Sequence, residues 1–336
     1  MNSEAVLDRN LALELLRVTE SAALAAAPLQ GRGRKEESDG RAVDAMRRAL
    51  ASVDMRGTVV IGEGEKDKAP MLYFGEEVGN GLDPEVDVAV DPIDGTRLTA
   101  NGEPGALSVV ALAERGALFT THVHYMDKLV VGRLARGVID IEMPVEWNLR
   151  RIAKAEGLHP RDLTVVVLNR ERNQSIMEEI REVGSRIRLI SDGDVAGSIM
   201  AALEVKSGTH VMMGSGGATE GVIAACAVKA LSGDMQGRLL IRNQEEREMA
   251  LNEGHQPDAV LGLDDLCSSR NIFFAATGIT TGELLQGVRY QAHYASTQSM
   301  VLRSWSGTMR VVDGFHEMGK LRAKGLLPEQ VVMSAK

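Results

Sequence analysis

The last six residues of Glu85 to Thr96, Glu-Val-Asp-Val-Ala-Val-Asp-Pro-Ile-Asp-Gly-Thr, put two carboxylates and a hydroxyl around one bend. Val86, Val88 and Val90 alternate with smaller or polar residues, which predicts a strand ending at Asp91-Pro92. Pro92 cannot donate to a ladder and restricts Asp91 to extended geometry, while Gly95 can supply a tight turn. Two carboxylates about 5 Å apart at an effective dielectric of about 20 repel by roughly 3 kcal/mol, so such a pair is ordinarily neutralised by a cation or a proton. An Asx turn with solvated acids is the competing reading of the same six residues.

Other acids stand at similar places. The β-branched run Thr58 to Ile61 ends in Gly62-Glu63-Gly64-Glu65, where flanking glycines leave Glu63 free to project into a cleft. Asp39 precedes a helical segment, Arg41 to Leu50, and taken alone reads as its N-cap. Glu220 closes Gly214-Ser215-Gly216-Gly217-Ala218-Thr219. Gathered with Thr96, the acids Asp39, Glu63, Asp91, Asp94 and Glu220 form an oxygen donor set of the kind that Mg²⁺ and Mn²⁺ take. No His stands beside them at ligand spacing, which disfavours zinc. Lys35, Arg170 and Arg172 suit phosphate oxygens, and Tyr125 can donate one more hydrogen bond. Asp192 and Asp194 suit sugar hydroxyls, or cap a helix starting at Val195.

The elements that must position these residues follow from periodicity. Leu11, Leu15, Val18 and Ala22 recur at helical spacing up to Pro28. Strands are expected at Leu107 to Leu112, Leu118 to His124, Leu129 to Gly132 and Val138 to Ile141, with Tyr125-Met126-Asp127-Lys128 at a hairpin end. Beyond Pro144 strand and helix alternate: helix Trp147 to Ala155, strand Leu163 to Leu168, helix Ser175 to Val183, strand Ile187 to Ile190, helix Val195 to Leu203, strand His210 to Met213, helix Ala218 to Leu231. That alternation implies a parallel or mixed sheet layered with helices, whose ligands lie off the carboxyl ends of strands. Gln244 to Leu263 reads as a short helix with a surface connection, and Ile272 to Ala276, Ser299 to Leu302 and Met309 to Val312 as final strands. The expected division is 1–145, 146–320 and a tail 321–336, the two halves packed as one catalytic unit.

Composition narrows the class. With 44% hydrophobic and 25% charged residues in 336, the chain is an ordinary globular protein able to bury a large core. A net charge of −9 argues against nucleic acid as the main partner. The longest apolar run, Ala22 to Leu29, is far too short for a membrane span, and the N-terminus has no basic region followed by an apolar core. Two cysteines, Cys226 and Cys267, fit a reducing cytoplasm.

Asp-Pro-Ile-Asp-Gly-Thr with an upstream Gly-Glu-Gly resembles the lithium-sensitive, metal-dependent sugar-phosphatase superfamily of inositol monophosphatases and fructose bisphosphatases. Arg17 to Ala23, Val60 to Glu65, Ala69-Pro70-Met71-Leu72-Tyr73, Ser191 to Val195, Gly216 to Gly221 and Ala275 to Thr280 are similar to class II fructose-1,6-bisphosphatases, from about Leu11 to about Val312. The resemblance implies a five-layer α-β-α-β-α fold, a homodimer or homotetramer, and hydrolysis of the 1-phosphate of fructose 1,6-bisphosphate in gluconeogenesis. It further implies that Asp39 and Glu63 hold one metal and Asp91, Asp94 and Glu220 another, with Thr96 and Glu63 activating the attacking water. Lys35, Asp94, Gly95, Thr96, Tyr125, Arg170, Arg172, Asp192, Gly193, Asp194 and Gly217 match positions that contact substrate.

Two departures stand out. Asp94 occupies a place where class II enzymes often carry Glu, and Thr219 one where Pro is common, so Glu220 is expected to be held less rigidly. The competing substrate is sedoheptulose 1,7-bisphosphate, alone or in addition. Inositol monophosphate fits less well, because Arg170 and Arg172 suggest a second phosphate. A sugar-phosphate sensor without catalysis has no need of a water-activating Glu63 and Thr96.

Overall fold

A computed structural model describes residues 11–63, 72–203 and 208–323. The expectations on the N-terminus before residue 11, on Gly64-Glu65, on Ala69-Pro70-Met71 and on the tail after 323 lie outside the described residues. The chain forms two compact units: one combines Met1–Ala117 with Arg270–Lys336, and the other is Leu118–Ser269. The division therefore falls near 117 and 269 rather than at 145, because the last strands return to the first sheet.

In the first unit the Leu11, Leu15, Val18 spacing forms helix α1 (Leu11–Ala26), and α2 (Lys35–Leu50) buries Ala42, Val43 and Met46 beside it. Strands β1 (Arg56–Ile61), β2 (Glu77–Val78), β3 (Glu85–Asp94) and β4 (Leu107–Glu114) follow, with α3 (Thr96–Asn101) between the last two. The second unit holds α4 (Val145–Glu156), α5 (Gln174–Val183), α6 (Asp194–Ala202), α7 (Ala218–Ala230), α8 (Gln244–Asn252) and α9 (Leu263–Leu266). Its strands are β5 (Tyr125–Val131), β6 (Thr164–Leu168), β7 (Arg186–Ile190), β8 (Val211–Gly217), β9 (Asp234–Leu239) and β10 (Leu261–Gly262). The first unit is completed by β11 (Phe273–Gly278), β12 (Arg289–Tyr290), β13 (Tyr294–Arg303), β14 (Thr308–Glu317) and α10 (Met318–Ala323).

The eight-stranded sheet runs β2-β1-β3-β4-β11-β13-β12, with β14 also pairing β13 and only β1 and β3 parallel. One face packs Val59, Val86, Val88, Val90, Val110, Leu112, Phe273, Ala275 and Val301 against α1 and α2. The six-stranded sheet runs β10-β9-β5-β8-β6-β7, and only the β6 pairings are parallel. Leu129, Val131, Val165, Val167, Val211 and Met213 pack with Leu149 and Ile152 of α4 and Met177 and Ile180 of α5. The alternate residues face α6 and α7: a Cβ on Gly197 of α6 would lie 3.1 Å from Val166 and 3.4 Å from Met212. The first unit is a sheet with helices on one face and the second a sheet between two helix layers, so each is a layered α/β unit. No helix among the described residues is long and apolar enough to cross a membrane.

Several local expectations change. β3 does not stop at Asp91-Pro92 but continues to Asp94. Tyr125 to Lys128 is not a hairpin end but the first half of β5, and neither Leu118 to His124 nor Val138 to Ile141 forms a strand. Asp39 is not an N-cap, since α2 starts at Lys35 and Asp39 sits one turn inside it. The glycines after Met213 belong to β8 rather than to a loop. In α2, β3, β5 and β8 a polar or glycine-bearing residue read as an element's end is tolerated inside it by the tertiary contacts described next.

Candidate active site

The Asp-Pro-Ile-Asp motif is a bulge. Asp91 opposes Val109 of β4 and Asp94 opposes Leu107, so three steps on β3 match two on its neighbour. In a regular strand residues three apart point to opposite faces; the extra residue returns Asp94 to the face of Asp91, away from the core that takes Ile93. Asp91 Oδ1 accepts the Ile93 N–H at 3.0 Å, and Asp94 is 2% exposed. Gly95 takes the left-handed conformation (φ 89°), turning the chain into α3, and the Thr96 hydroxyl donates to the Ile93 carbonyl at 3.3 Å.

In the same unit Asp39 and Glu63 share a hydrogen bond between their carboxyl groups. Burial holds the Asp39 carboxyl above the usual aspartate range, opposed by the Glu63 hydrogen bond and by the Lys35 charge one turn back. Asp39 Oδ1 is enclosed and has no hydrogen-bond partner. A buried carboxylate oxygen without a donor, beside a second carboxyl, is a donor set that a hard divalent cation satisfies. Among the described residues no three His, Cys, Asp or Glu side chains form a metal-holding group, and Asp39 with Glu63 is the pair of these acids seen in contact.

The second unit carries Tyr125, Arg170, Arg172, Asp192, Gly193, Asp194 and Gly217 of the predicted contacts, whereas Lys35, Asp94, Gly95 and Thr96 lie in the first. Tyr125 opens β5 opposite Gly217, and its ring lies between two guanidinium groups, Arg172 at 4.5 Å and Arg242 at 4.6 Å. Arg172 Nε donates to the Ser215 carbonyl at 3.2 Å, and Arg170 donates to Asp192 at 3.0 Å. Gly193 repeats the turn of Gly95: left-handed at φ 78°, it leads into α6, whose first residue is Asp194. Asp194 is therefore neither free nor merely a cap; its carboxylate pairs with the enclosed Lys128 ammonium, which also donates to the Gly217 carbonyl at 2.7 Å.

Gly216 and Gly217 follow from those carboxylates. A Cβ at Gly216 would fall 1.9 Å from Asp194 Oδ2, and one at Gly217 would fall 1.8 Å from Glu220 Oε2. Burial raises the Glu220 carboxyl above the glutamate range and the Asp194 charge adds to it, while Lys128 and the Thr219 hydroxyl oppose. Thr219 Oγ1 donates to Glu220 Oε2 at 2.8 Å, so the residue expected to loosen Glu220 tethers it.

Sequence reasoning missed Lys128, Arg242 and this role of Thr219. The signal for Lys128 was present: it alternates with Met126 and Val130, an inward charged position on an apolar strand face. Arg242 carried only its four-residue spacing to Glu246, whose Oε1 accepts from both its Nε and its Nη2.

Residues 9–316 match the model of the bacterial fructose-1,6-bisphosphatases, glpX-encoded. The chain is 44% identical over 325 residues to "Fructose-1,6-bisphosphatase 1 class 2" of Escherichia coli (strain K12), covering 93% of this chain and 96% of that protein. It is similar to the same extent to "Fructose-1,6-bisphosphatase class 2" of Shigella flexneri. With a family model spanning more than half its length, the chain belongs to the bacterial fructose-1,6-bisphosphatase family.

Proposed function

We propose that the protein hydrolyses the 1-phosphate of fructose 1,6-bisphosphate, giving fructose 6-phosphate and phosphate in gluconeogenesis. The observation that carries the reading is the β3 bulge, which turns Asp91 and Asp94 to one face beside the Thr96 hydroxyl. Asp39, Glu63, Asp91, Asp94 and Glu220 would hold the divalent ions, Mg²⁺ or Mn²⁺, with the Asp39–Glu63 pair and its donorless oxygen as support. Bound there, the ions supply positive charge to phosphoryl oxygens and lower the pKa of a water. Phosphate monoester hydrolysis needs acceleration up to about 10²¹-fold, beyond what neutral hydrogen bonds provide. Glu63, Asp94 and Thr96 orient the attacking water, and Lys35, Tyr125, Arg170 and Arg172 hold phosphate. Asp192, Gly193, Asp194 and the backbones of Gly95 and Gly217 hold the sugar.

Glu63→Ala and Asp91→Asn are each expected to lower metal-dependent phosphate release at least about 10²-fold; full activity in both would refute the assignment. Initial rates on fructose 1,6- and sedoheptulose 1,7-bisphosphate and on inositol monophosphate, with Mg²⁺, Mn²⁺ and added lithium, decide the substrate, the ion and the wider superfamily placement. A cytoplasmic location is supported by two free, buried thiols, and a homo-oligomer is checked by light scattering.

A further inference from the structure

Lysine is almost never fully enclosed unless paired, yet the Lys128 side chain has 0% exposure. It stands in β5 between Gly214 of β8 and Gly237 of β9, on the face that meets α6 and α7. Its stem passes under Gly221 of α7, where a Cβ would lie 3.4 Å from Lys128 Cδ. At the far end the ammonium meets Asp194 Oδ2 at the start of α6 and the Gly217 carbonyl just before α7. A Cβ on Gly216 would sit 2.9 Å from Nζ, so the backbone at Gly216 and Gly217 closes the pocket from below.

Stability alone does not account for such a charge. Replacing a buried ion pair by apolar residues of similar volume is often neutral or stabilising, so retaining one is weak support for the fold. What the pair does hold is position. One compact ammonium fixes the first residue of α6 and the last residue of β8 relative to each other, and both carry assigned sugar contacts.

We propose that Lys128 is a positioning residue for sugar recognition, an internal cation that occupies Asp194 Oδ2 and the Gly217 carbonyl so that Asp194 Oδ1 faces the hydroxyls of the sugar bisphosphate. This rests on the fructose-bisphosphatase reading and deepens it. Lys128 touches no reacting atom; it acts through Asp194 and Gly217.

The test is steady-state kinetics of Lys128→Met and Lys128→Gln, with Lys128→Arg as the charge-conserving control. Both neutral variants are expected to raise KM for fructose 1,6-bisphosphate and the inhibition constant of fructose 6-phosphate together, about 10- to 100-fold. Saturated kcat stays within about 3-fold, and Lys128→Arg recovers part of the loss. Where Lys128→Met does not fold, Lys128→Gln, which keeps a donor for Gly217, carries the measurement. A fall in kcat at unchanged KM, or no change in either constant, overturns the proposal. A wild-type protein inert toward fructose 1,6-bisphosphate overturns instead the reading on which it rests.

Discussion

At the scale of single residues, the Thr96 hydroxyl is the plainest probe of chemistry. It is aimed at the Ile93 carbonyl inside the bend that carries Asp91 and Asp94, where only a side chain with an oxygen at Oγ can donate. Thr96→Ala is expected to lower kcat about 10²-fold with KM nearly unchanged, while Thr96→Ser keeps most of the rate. Steady-state kinetics at saturating Mg²⁺ check this, and equal kcat for Ala and Ser would remove Thr96 from the reaction. Such residues stand out in the sequence as candidates because oxygen donors near strand ends announce themselves by type. Their partners stand out less. Thr219 was read against the Pro common at its place, and only the 2.8 Å contact to Glu220 reveals that a hydroxyl holds what a ring would have stiffened. Lys128 was hidden because its neighbours Tyr125 and Asp127 made the segment look like a turn.

Elements place these residues through their irregularities. β3 was legible as a strand from Val86, Val88 and Val90, but the bulge depends on pairing with β4, a long-range choice that no local period encodes. The glycines of β8 were misread for the same reason: locally they signal a loop, whereas here they make room for Asp194 and Glu220. Gly216→Ala is therefore expected to fold yet push the Asp194 carboxylate out of its place beside Lys128. KM for the sugar bisphosphate rises about 10-fold or more, and an unchanged KM would show the carboxylate to be mobile. A second expectation concerns the junction of β6 and β8. His210 Nδ1 accepts the Thr164 N–H at 2.9 Å, and burial, helped by the Arg186 charge, lowers the His210 pKa below the histidine range. With the folded pKa depressed, the unfolded chain binds the proton more readily. The contribution is full above the unfolded value of about 6.5 and is lost as pH falls below it. Thermal melts of wild type and His210→Gln should therefore converge between pH 7.5 and about 5.5, starting from a more stable wild type; parallel curves would rule out His210 as the titrating group.

For the whole molecule the decisive fact is that the first unit is discontinuous. The chain leaves it after Ala117, builds a complete six-stranded sheet, and returns at Arg270 to lay β11 against β4 over six residue pairs from Phe273↔Leu112 to Gly278↔Leu107. Linear order hid this, since the periodicities of β11, β13 and β14 are legible but their destination is not. The returning strands are no appendage. Phe273, Ala275 and Val301 enter the core that α1 and α2 cover, and burying large apolar side chains such as Phe273 and Val301 contributes about 1.5–3 kcal/mol each. A buried chain of hydroxyls, Thr19 to Thr277 at 2.7 Å and Thr277 to Ser299 at 2.8 Å, ties α1 to β11 and β13. Removing them leaves the Thr19 hydroxyl without these partners and β4 with an uncovered edge, and an exposed apolar edge is an aggregation template. A chain ending at Ser269 keeps every proposed metal ligand and substrate contact, yet it is expected to be insoluble and inactive, with the first unit unfolded. Co-expression of residues 270–336 as a separate polypeptide should recover soluble protein and some phosphate release, because the register of β11 on β4 is specified by side chains rather than by the connection. A soluble, active 1–269 chain would show that the eight-stranded sheet does not need its last strands to hold the bulge of β3 in place.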